Sequence, residues 1–79
     1  MTEQDRRRVV RALIETVTGK ALTAEKDLLG SGFMDSLMVM RLVGDLETKF
    51  SIRLEIEDFT QYNFDSVAAI AALVERREK

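Results

Sequence analysis

Residues 29–50, LGSGFMDSLMVMRLVGDLETKF, join a glycine-containing loop directly to a strongly apolar helical pattern. The pattern predicts a helix from about Ser36 to Phe50, with Asp35 as its N-cap residue. Ser36 therefore lies where a loop meets a helix N-terminus, and we expect its hydroxyl outside the core. This position suits an anion, and a phosphate above all, because the first N–H groups of a helix lack intrahelical acceptors and carry the positive end of the helix dipole.

A first helix is predicted from the N-terminus to about Thr18. Thr2 followed by Asp5 is a weak form of a helix-start signal, and Gly19 is a natural helix end. The arginine run 6–8 is expected on the solvated side of this helix. The opposite stripe contains Val9, Val10, Leu13, Ile14 and Val17.

The long connection 19–35 is predicted to carry no secondary structure of its own, with Leu28, Leu29 and Phe33 tucked onto the helices. A connection of this length is typically functional. Residues 51–56 alternate with the period of a strand, but a lone strand has no partner, so we predict an extended connector that ends at a packed Ile56.

The remaining chain is predicted to hold one short helix and one long one. Glu57 to about Gln61 forms a single turn around Phe59, and Tyr62 and Phe64 follow as packing residues. Asp65 caps a last helix from about Ser66 to Arg76. The predicted fold class is all-α, a small bundle of three main helices and one short helix. We expect a single domain over residues 1–79, with its core in residues 5–77.

Composition excludes several kinds of protein. The 79 residues include no Cys and no His, so disulfides, thiolate metal sites and the usual general base are absent. The formal net charge is −2, which disfavours nucleic acid as the main partner. No metal site is assigned. The N-terminus has no apolar core of a signal peptide, and the apolar runs are too short to span a bilayer. We therefore expect a cytoplasmic monomer.

Ser36 by itself has a plain interpretation and two functional ones. A serine at a helix start is common and usually does nothing more. A catalytic nucleophile would need a base within hydrogen-bond reach, and the chain has no His to supply one, so no catalytic residue is predicted. A covalent attachment point needs no base in this chain. A small helical interaction module with an unmodified Ser36 also stays open.

The motif around Ser36 resembles the attachment motif of the acyl carrier protein and peptidyl carrier protein superfamily, which binds phosphopantetheine. The resemblance covers roughly residues 8–76, and its elements follow the order predicted from periodicity. The matching segments are Asp27-Leu28-Leu29, Gly32-Phe33-Met34-Asp35-Ser36-Leu37, residues 42–50, Ile56-Glu57-Asp58-Phe59 and Asn63-Phe64-Asp65-Ser66-Val67.

The resemblance implies that a phosphopantetheinyl transferase moves 4′-phosphopantetheine from coenzyme A to the Ser36 hydroxyl. Asp35 would take part in recognition by that transferase. The thiol of the arm would carry an acyl or aminoacyl thioester, loaded by an adenylating enzyme or acyltransferase and delivered to a downstream synthase or transferase. The protein itself would not be an enzyme.

The second helix departs from the acidic surface of many fatty-acid carriers. It offers Met38 and Arg41 beside Ser36, and the segment 35–43 is closer to peptidyl carrier domains and D-alanyl carrier proteins. We expect Leu37, Met38, Arg41 and Phe33 to dock partner enzymes. The first interpretation is a discrete carrier in polyketide or nonribosomal peptide biosynthesis. A D-alanyl carrier for cell-envelope modification is the alternative, and a fatty-acid carrier comes third.

Overall fold

A computed structural model describes residues 1–78 of the chain. Within that range it contains helices and no strands, so the predicted all-α class is confirmed. The chain order is α1 (Glu3–Thr18), α2 (Ser36–Phe50), a 3₁₀ turn (Ile56–Asp58), α3 (Gln61–Phe64) and α4 (Val67–Arg77).

The ends of α1 and the start of α2 follow the predicted local signals. The Asp5 N–H donates to the Thr2 hydroxyl (3.1 Å), and the Thr2 N–H donates to the Asp5 carboxylate (3.3 Å), so the capping box is complete. Gly19 ends α1 in the left-handed region at φ 71°, where glycine has no steric penalty. Asp35 caps α2 by accepting a hydrogen bond from the Met38 N–H (2.9 Å).

The core lies between the three long helices. Helix α1 packs against both α2 and α4, while α3 packs against α4. Each long helix therefore contributes one apolar stripe to a shared interior. The side chains that are at most 2% exposed include Val10, Ile14, Leu42, Leu46, Phe64, Val67, Ile70, Leu73 and Val74.

Helix α4 begins one residue later than its predicted cap implies. Ser66, and not Asp65, is the N-cap, because its hydroxyl accepts a hydrogen bond from the Ala69 N–H (3.0 Å). Asp65 instead accepts a hydrogen bond from the Leu29 N–H (2.8 Å). Serine and aspartate are both good N-cap residues, so their order in the sequence could not decide between them.

The single short turn predicted over residues 57–61 is wrong, because the chain forms two short helices there. The carboxylate of Asp58 accepts a hydrogen bond from the Glu55 N–H (2.8 Å) and closes the 3₁₀ turn. The hydroxyl of Thr60 then caps the separate helix α3. Asp58 and Thr60 each cap a turn of their own within this short segment, so the chain forms two short helices there and not one.

Two apolar residues near this break are exposed against expectation. Ile56 is 85% exposed and Tyr62 is 81% exposed, although both were predicted to pack. Phe64 is buried as predicted, and Leu54 of the connector is buried as well. Since the split turns the chain at Asp58, Ile56 lies on the outer side of the 3₁₀ turn and Tyr62 on the outer side of α3.

Arg6 does not lie on the solvated side of α1 as predicted. Its residue is only 7% exposed, and its guanidinium holds the carboxylate of Glu78 through Nη2–Oε1 (2.7 Å) and Nε–Oε2 (3.2 Å). Arg8, in contrast, is exposed as expected. The partner of Arg6 comes from the other end of the chain, so the local charge pattern could not reveal the pairing.

Ion pairs at the end of α4 make stability sensitive to acid. Hydrogen bonds from Arg77 and Arg6 hold the pKa values of Asp58 and Glu78, respectively, below their usual range. A carboxylate with a lowered pKa stabilises the folded chain fully above its unfolded pKa of about 4, and this contribution is lost as the pH falls through the folded value. We expect the urea midpoint to fall steadily below about pH 4. Asp58→Asn should flatten that fall, and an unchanged pH profile in the variant would contradict the assignment.

Gly44 lies in the middle of α2 on its exposed side. A Cβ placed there would meet no atom within 4 Å, so no neighbouring helix of residues 1–78 approaches it. Glycine costs a helix interior about 1 kcal/mol relative to alanine. We therefore expect Gly44→Ala to raise the melting temperature by about 4–8 °C.

Gly19→Ala is the matched control for this substitution. It also adds one methyl group in open space, but at φ 71°, where an L side chain is strained. Thermal unfolding should therefore move in opposite directions for the two variants. A lower melting temperature for Gly44→Ala would show that the backbone of α2 needs the glycine.

Candidate functional site

The loop that leads into Ser36 folds on two buried side chains. Leu28 is 1% exposed and Met34 is 2% exposed, and the Met34 N–H donates to the Leu28 carbonyl (2.9 Å). Gly32 lies between them at φ 85°, in the left-handed region that favours glycine. The burial of Leu28 was predicted and that of Met34 was not. The signal that was missed is a hydrophobic staple. Met34 directly precedes the N-cap Asp35, and Val39 occupies the fourth position of the helix, where it can pack against Met34.

Ser36 is the first residue of α2 and is exposed. The Asp35 carboxylate accepts a hydrogen bond from the Met38 N–H. The N–H groups of Ser36 and Leu37 lie in the first turn of the helix and have no carbonyl acceptor within it. Within residues 1–78 the Ser36 hydroxyl makes no hydrogen bond. The site thus presents an unengaged hydroxyl beside free backbone donors at the positive end of a helix.

An apolar groove of about 260 Å³ begins at Ser36. It runs between α2 on one side and the segment around α3 on the other. Phe59 and Phe64 stack within its lining, with ring centroids 6.1 Å apart and planes within 8° of parallel. The groove is lined by Leu29, Ser36, Val39, Met40, Phe59, Thr60, Gln61 and Phe64.

Met40 and Phe59 line this groove and are both exposed to solvent. Met40 is 59% exposed and Phe59 is 40% exposed. The helical spacing could have revealed Met40, since residues i+3 and i+4 from Ser36 share its face. Nothing in the sequence places Phe59 across from that face, because this depends on how α3 packs.

The structure divides the four predicted docking residues into two groups. Leu37 is 72% exposed and Arg41 is also exposed, so both are accessible beside Ser36. Met38 was predicted as an exposed methionine, but it is half-buried against the core. Phe33 is half-buried too, with the Lys20 Nζ 4.6 Å from its ring centroid. Helix α2 tilts its Met38 side toward the core and leaves Leu37 and Met40 outside.

Two further features bear on the range of possible chemistry. Within residues 1–78 no group of three metal-ligating side chains converges. None of the helices described is both long enough and apolar enough to cross a membrane.

Comparison with known proteins decides the family. The family model described as the phosphopantetheine attachment site matches residues 8–74, a stretch that contains Ser36 and its groove. The chain belongs to this family. Its predicted superfamily is confirmed, and so is its cofactor, a covalent 4′-phosphopantetheine.

Two known carrier proteins resemble the chain over most of its length. D-alanyl carrier protein 1 of Lactiplantibacillus plantarum is 27% identical over 77 residues, which cover 95% of this chain and 96% of the relative. The D-alanyl carrier protein of Leuconostoc citreum is 28% identical over 65 residues, which cover 80% and 83%, respectively. The chain is thus similar throughout to carrier proteins of its own size.

Proposed function

We propose that Ser36 is the residue to which the phosphopantetheine is attached, and that the protein is an aminoacyl or acyl carrier. The observation that carries the proposal is the exposed, unbonded Ser36 hydroxyl at the N-terminus of α2. The free N–H groups of the first turn would face the phosphodiester anion and favour it. When bound, the group supplies a terminal thiol that carries cargo as a thioester.

The attachment step would use one atom of this chain. The Ser36 hydroxyl loses its proton, its Oγ bonds to the phosphorus of coenzyme A that bears the pantetheine, the P–O bond of the pyrophosphate breaks, and adenosine 3′,5′-bisphosphate leaves. The base that takes the proton belongs to the transferase, because no side chain of residues 1–78 hydrogen-bonds to the Ser36 hydroxyl. Asp35 acts earlier. By capping α2 it fixes Ser36 as the first helical residue, in a geometry that the transferase recognises.

Mass spectrometry tests this proposal directly. The protein is incubated with coenzyme A and a promiscuous phosphopantetheinyl transferase, and its intact mass is followed. We expect a single phosphopantetheine per chain. No addition would overturn the carrier function and would favour a helical interaction module with an unmodified Ser36.

Among cargoes, an amino acid activated by an adenylating enzyme is favoured, and D-alanine is the first to test. The support is that both relatives described above are D-alanyl carriers, together with an α2 surface that pairs Arg41 with apolar residues. A carrier of nonribosomal peptide or polyketide biosynthesis is the second candidate, because the same surface suits it. A fatty-acid carrier is less favoured, since that surface is not strongly acidic.

The cargo is tested by loading the phosphopantetheinylated protein. It is presented in parallel to a D-alanine-adenylating enzyme, an amino-acid-adenylating domain of peptide synthesis and a malonyl transferase. We expect the fastest thioester formation with D-alanine. Faster loading by either of the other two would reject the D-alanyl function while keeping the carrier function.

We propose that the partner enzymes dock on four residues near Ser36, namely Leu37, Met38, Arg41 and Phe33. Arg41 is exposed on α2 near Ser36, and charges at the rim of an interface mainly set the association rate. Arg41→Glu should therefore slow loading several-fold and reverse its salt dependence. Arg53→Glu makes the same charge change at another exposed position and serves as the control. Equal loading rates for the wild type and Arg41→Glu would exclude a docking role for Arg41.

A further inference from the structure

Asp65 is joined by hydrogen bonds to the loop that leads into Ser36. Its carboxylate Oδ1 accepts from the Leu29 N–H (2.8 Å) and, more weakly, from the Gly30 N–H (3.4 Å). Its backbone carbonyl accepts from the Leu28 N–H (2.9 Å). One residue between α3 and α4 therefore engages three consecutive amides of the loop.

The loop has few other polar attachments to the rest of the fold. Within residues 1–78, the two bonds to the Asp65 carboxylate are the only side-chain hydrogen bonds that reach residues 28–34 from another element. The bonds inside the loop are local, such as Gly32 N–H to the Leu29 carbonyl (3.1 Å). They fix the shape of the loop but not its place. Its place depends on the buried Leu28 and Met34, on Asp65, and on a backbone hydrogen bond from the Val67 N–H to the Glu25 carbonyl (2.9 Å) just before the loop.

Asp65 also adjoins two residues that line the groove beside Ser36. It directly follows Phe64 in the chain and bonds to the Leu29 amide, and both of these residues line the groove. The position of Leu29 relative to Phe64 therefore depends in part on the hydrogen bonds that Asp65 makes to the loop. Hydrogen bonds from backbone N–H groups to a carboxylate are stronger than neutral ones, so this is a stiff connection.

We propose that Asp65 is a positioning residue for Ser36. Its carboxylate holds the Leu29 and Gly30 amides, so that the loop presents Ser36 to the transferase in one geometry and the adjacent groove keeps its width. The proposal rests on Ser36 as the attachment residue. Within residues 1–78 Asp65 makes no hydrogen bond to Ser36, and it is not among the residues expected to dock partners.

Three variants separate positioning from plain stability. Asp65→Ala removes the acceptor, while Asp65→Asn keeps a side-chain carbonyl oxygen at the same place. Ser66→Ala is the matched control. It removes the neighbouring cap of α4, with a cost of about 1 kcal/mol, but the Ser66 hydroxyl makes no hydrogen bond to the loop within residues 1–78.

The three variants and the wild type are compared by urea unfolding, amide hydrogen exchange and transferase kinetics. For Asp65→Ala we expect faster exchange of the Leu29 and Gly30 amides, and a kcat/KM for attachment that is lower by between about ten- and a hundredfold. Asp65→Asn should restore most of the exchange protection at Leu29 and Gly30 and most of the kcat/KM for attachment. Ser66→Ala should lose similar stability, yet keep wild-type exchange at Leu29 and a wild-type kcat/KM.

Each other outcome overturns part of this account. Wild-type attachment kinetics in Asp65→Ala would reject the positioning role. Equal slowing in Asp65→Ala and Ser66→Ala at equal stability would reduce Asp65 to a structural residue and also reject it. If the wild type accepts no phosphopantetheine, the proposed function fails instead, and the exchange data alone then show whether Asp65 holds the loop. Should Asp65→Ala not fold, Asp65→Asn with wild-type exchange and slowed attachment would contradict the proposal.

Discussion

Ser36→Ala is expected to abolish phosphopantetheine attachment and to leave the fold intact. Ser36 makes no side-chain hydrogen bond within residues 1–78, and it is the first helical residue, whereas Asp35 is the cap. Its loss should therefore change the free energy of unfolding by less than about 0.5 kcal/mol. After incubation with coenzyme A and a transferase, the intact mass of the variant should stay that of the unmodified chain at all times.

Ser31→Ala is the matched control for this experiment. Ser31 is exposed in the same loop, and its hydroxyl accepts only a weak hydrogen bond from the Phe33 N–H (3.3 Å). This variant should accept the group as fast as the wild type. If Ser36→Ala still gains the group, the attachment point is another hydroxyl, and the assignment of Ser36 is wrong.

Phe64→Ala is expected to destabilise the protein more than any surface change. Phe64 is 2% exposed, stacks on Phe59 and lies where α3 packs on α4. Truncating a buried phenylalanine costs about 3–5 kcal/mol, because apolar contacts are lost and a cavity remains. A 79-residue domain has only about 4–12 kcal/mol in total, so we expect the melting temperature to fall by more than about 10 °C.

Tyr62→Ala is the control for this loss. Tyr62 is an aromatic residue of the same short helix, but it is 81% exposed. Its truncation should change stability by less than about 0.5 kcal/mol. Urea unfolding of both variants checks the pair. Similar losses for the two would mean that α3 packs in a different orientation from the one described.

The helices with strong local signals could be predicted from the sequence. The bounds of α2 agree with the prediction, because Asp35 caps a long apolar stripe. Gly19 ends α1, as is common for a glycine at the C-terminus of a helix. The region around Asp58 could not be predicted. There the caps compete over a few residues, and the ion pair from Asp58 to Arg77 decides the outcome over a long sequence distance.

The candidate site shows the same division. Ser36 and Asp35 could be located from the loop-to-helix junction and the attachment motif. The groove could not, because it exists only where Phe59 and Gln61 face α2 across a gap. The proposed positioning role of Asp65 could not be predicted from the sequence for a similar reason. As a residue just before a helix it is indistinguishable from a cap until its long-range partner is known.

Residues at the C-terminal end of α4 form ion pairs with both the 3₁₀ turn and α1. Arg77 binds Asp58 through two hydrogen bonds (2.8 and 2.7 Å), and the next residue, Glu78, binds Arg6 of α1. A chain cut after residue 76 would release the 3₁₀ turn and the start of α1 together. The wall of the groove that faces Ser36 would then move more freely, although the cut lies far along the chain. A fusion partner or tag placed after residue 78 preserves both attachments.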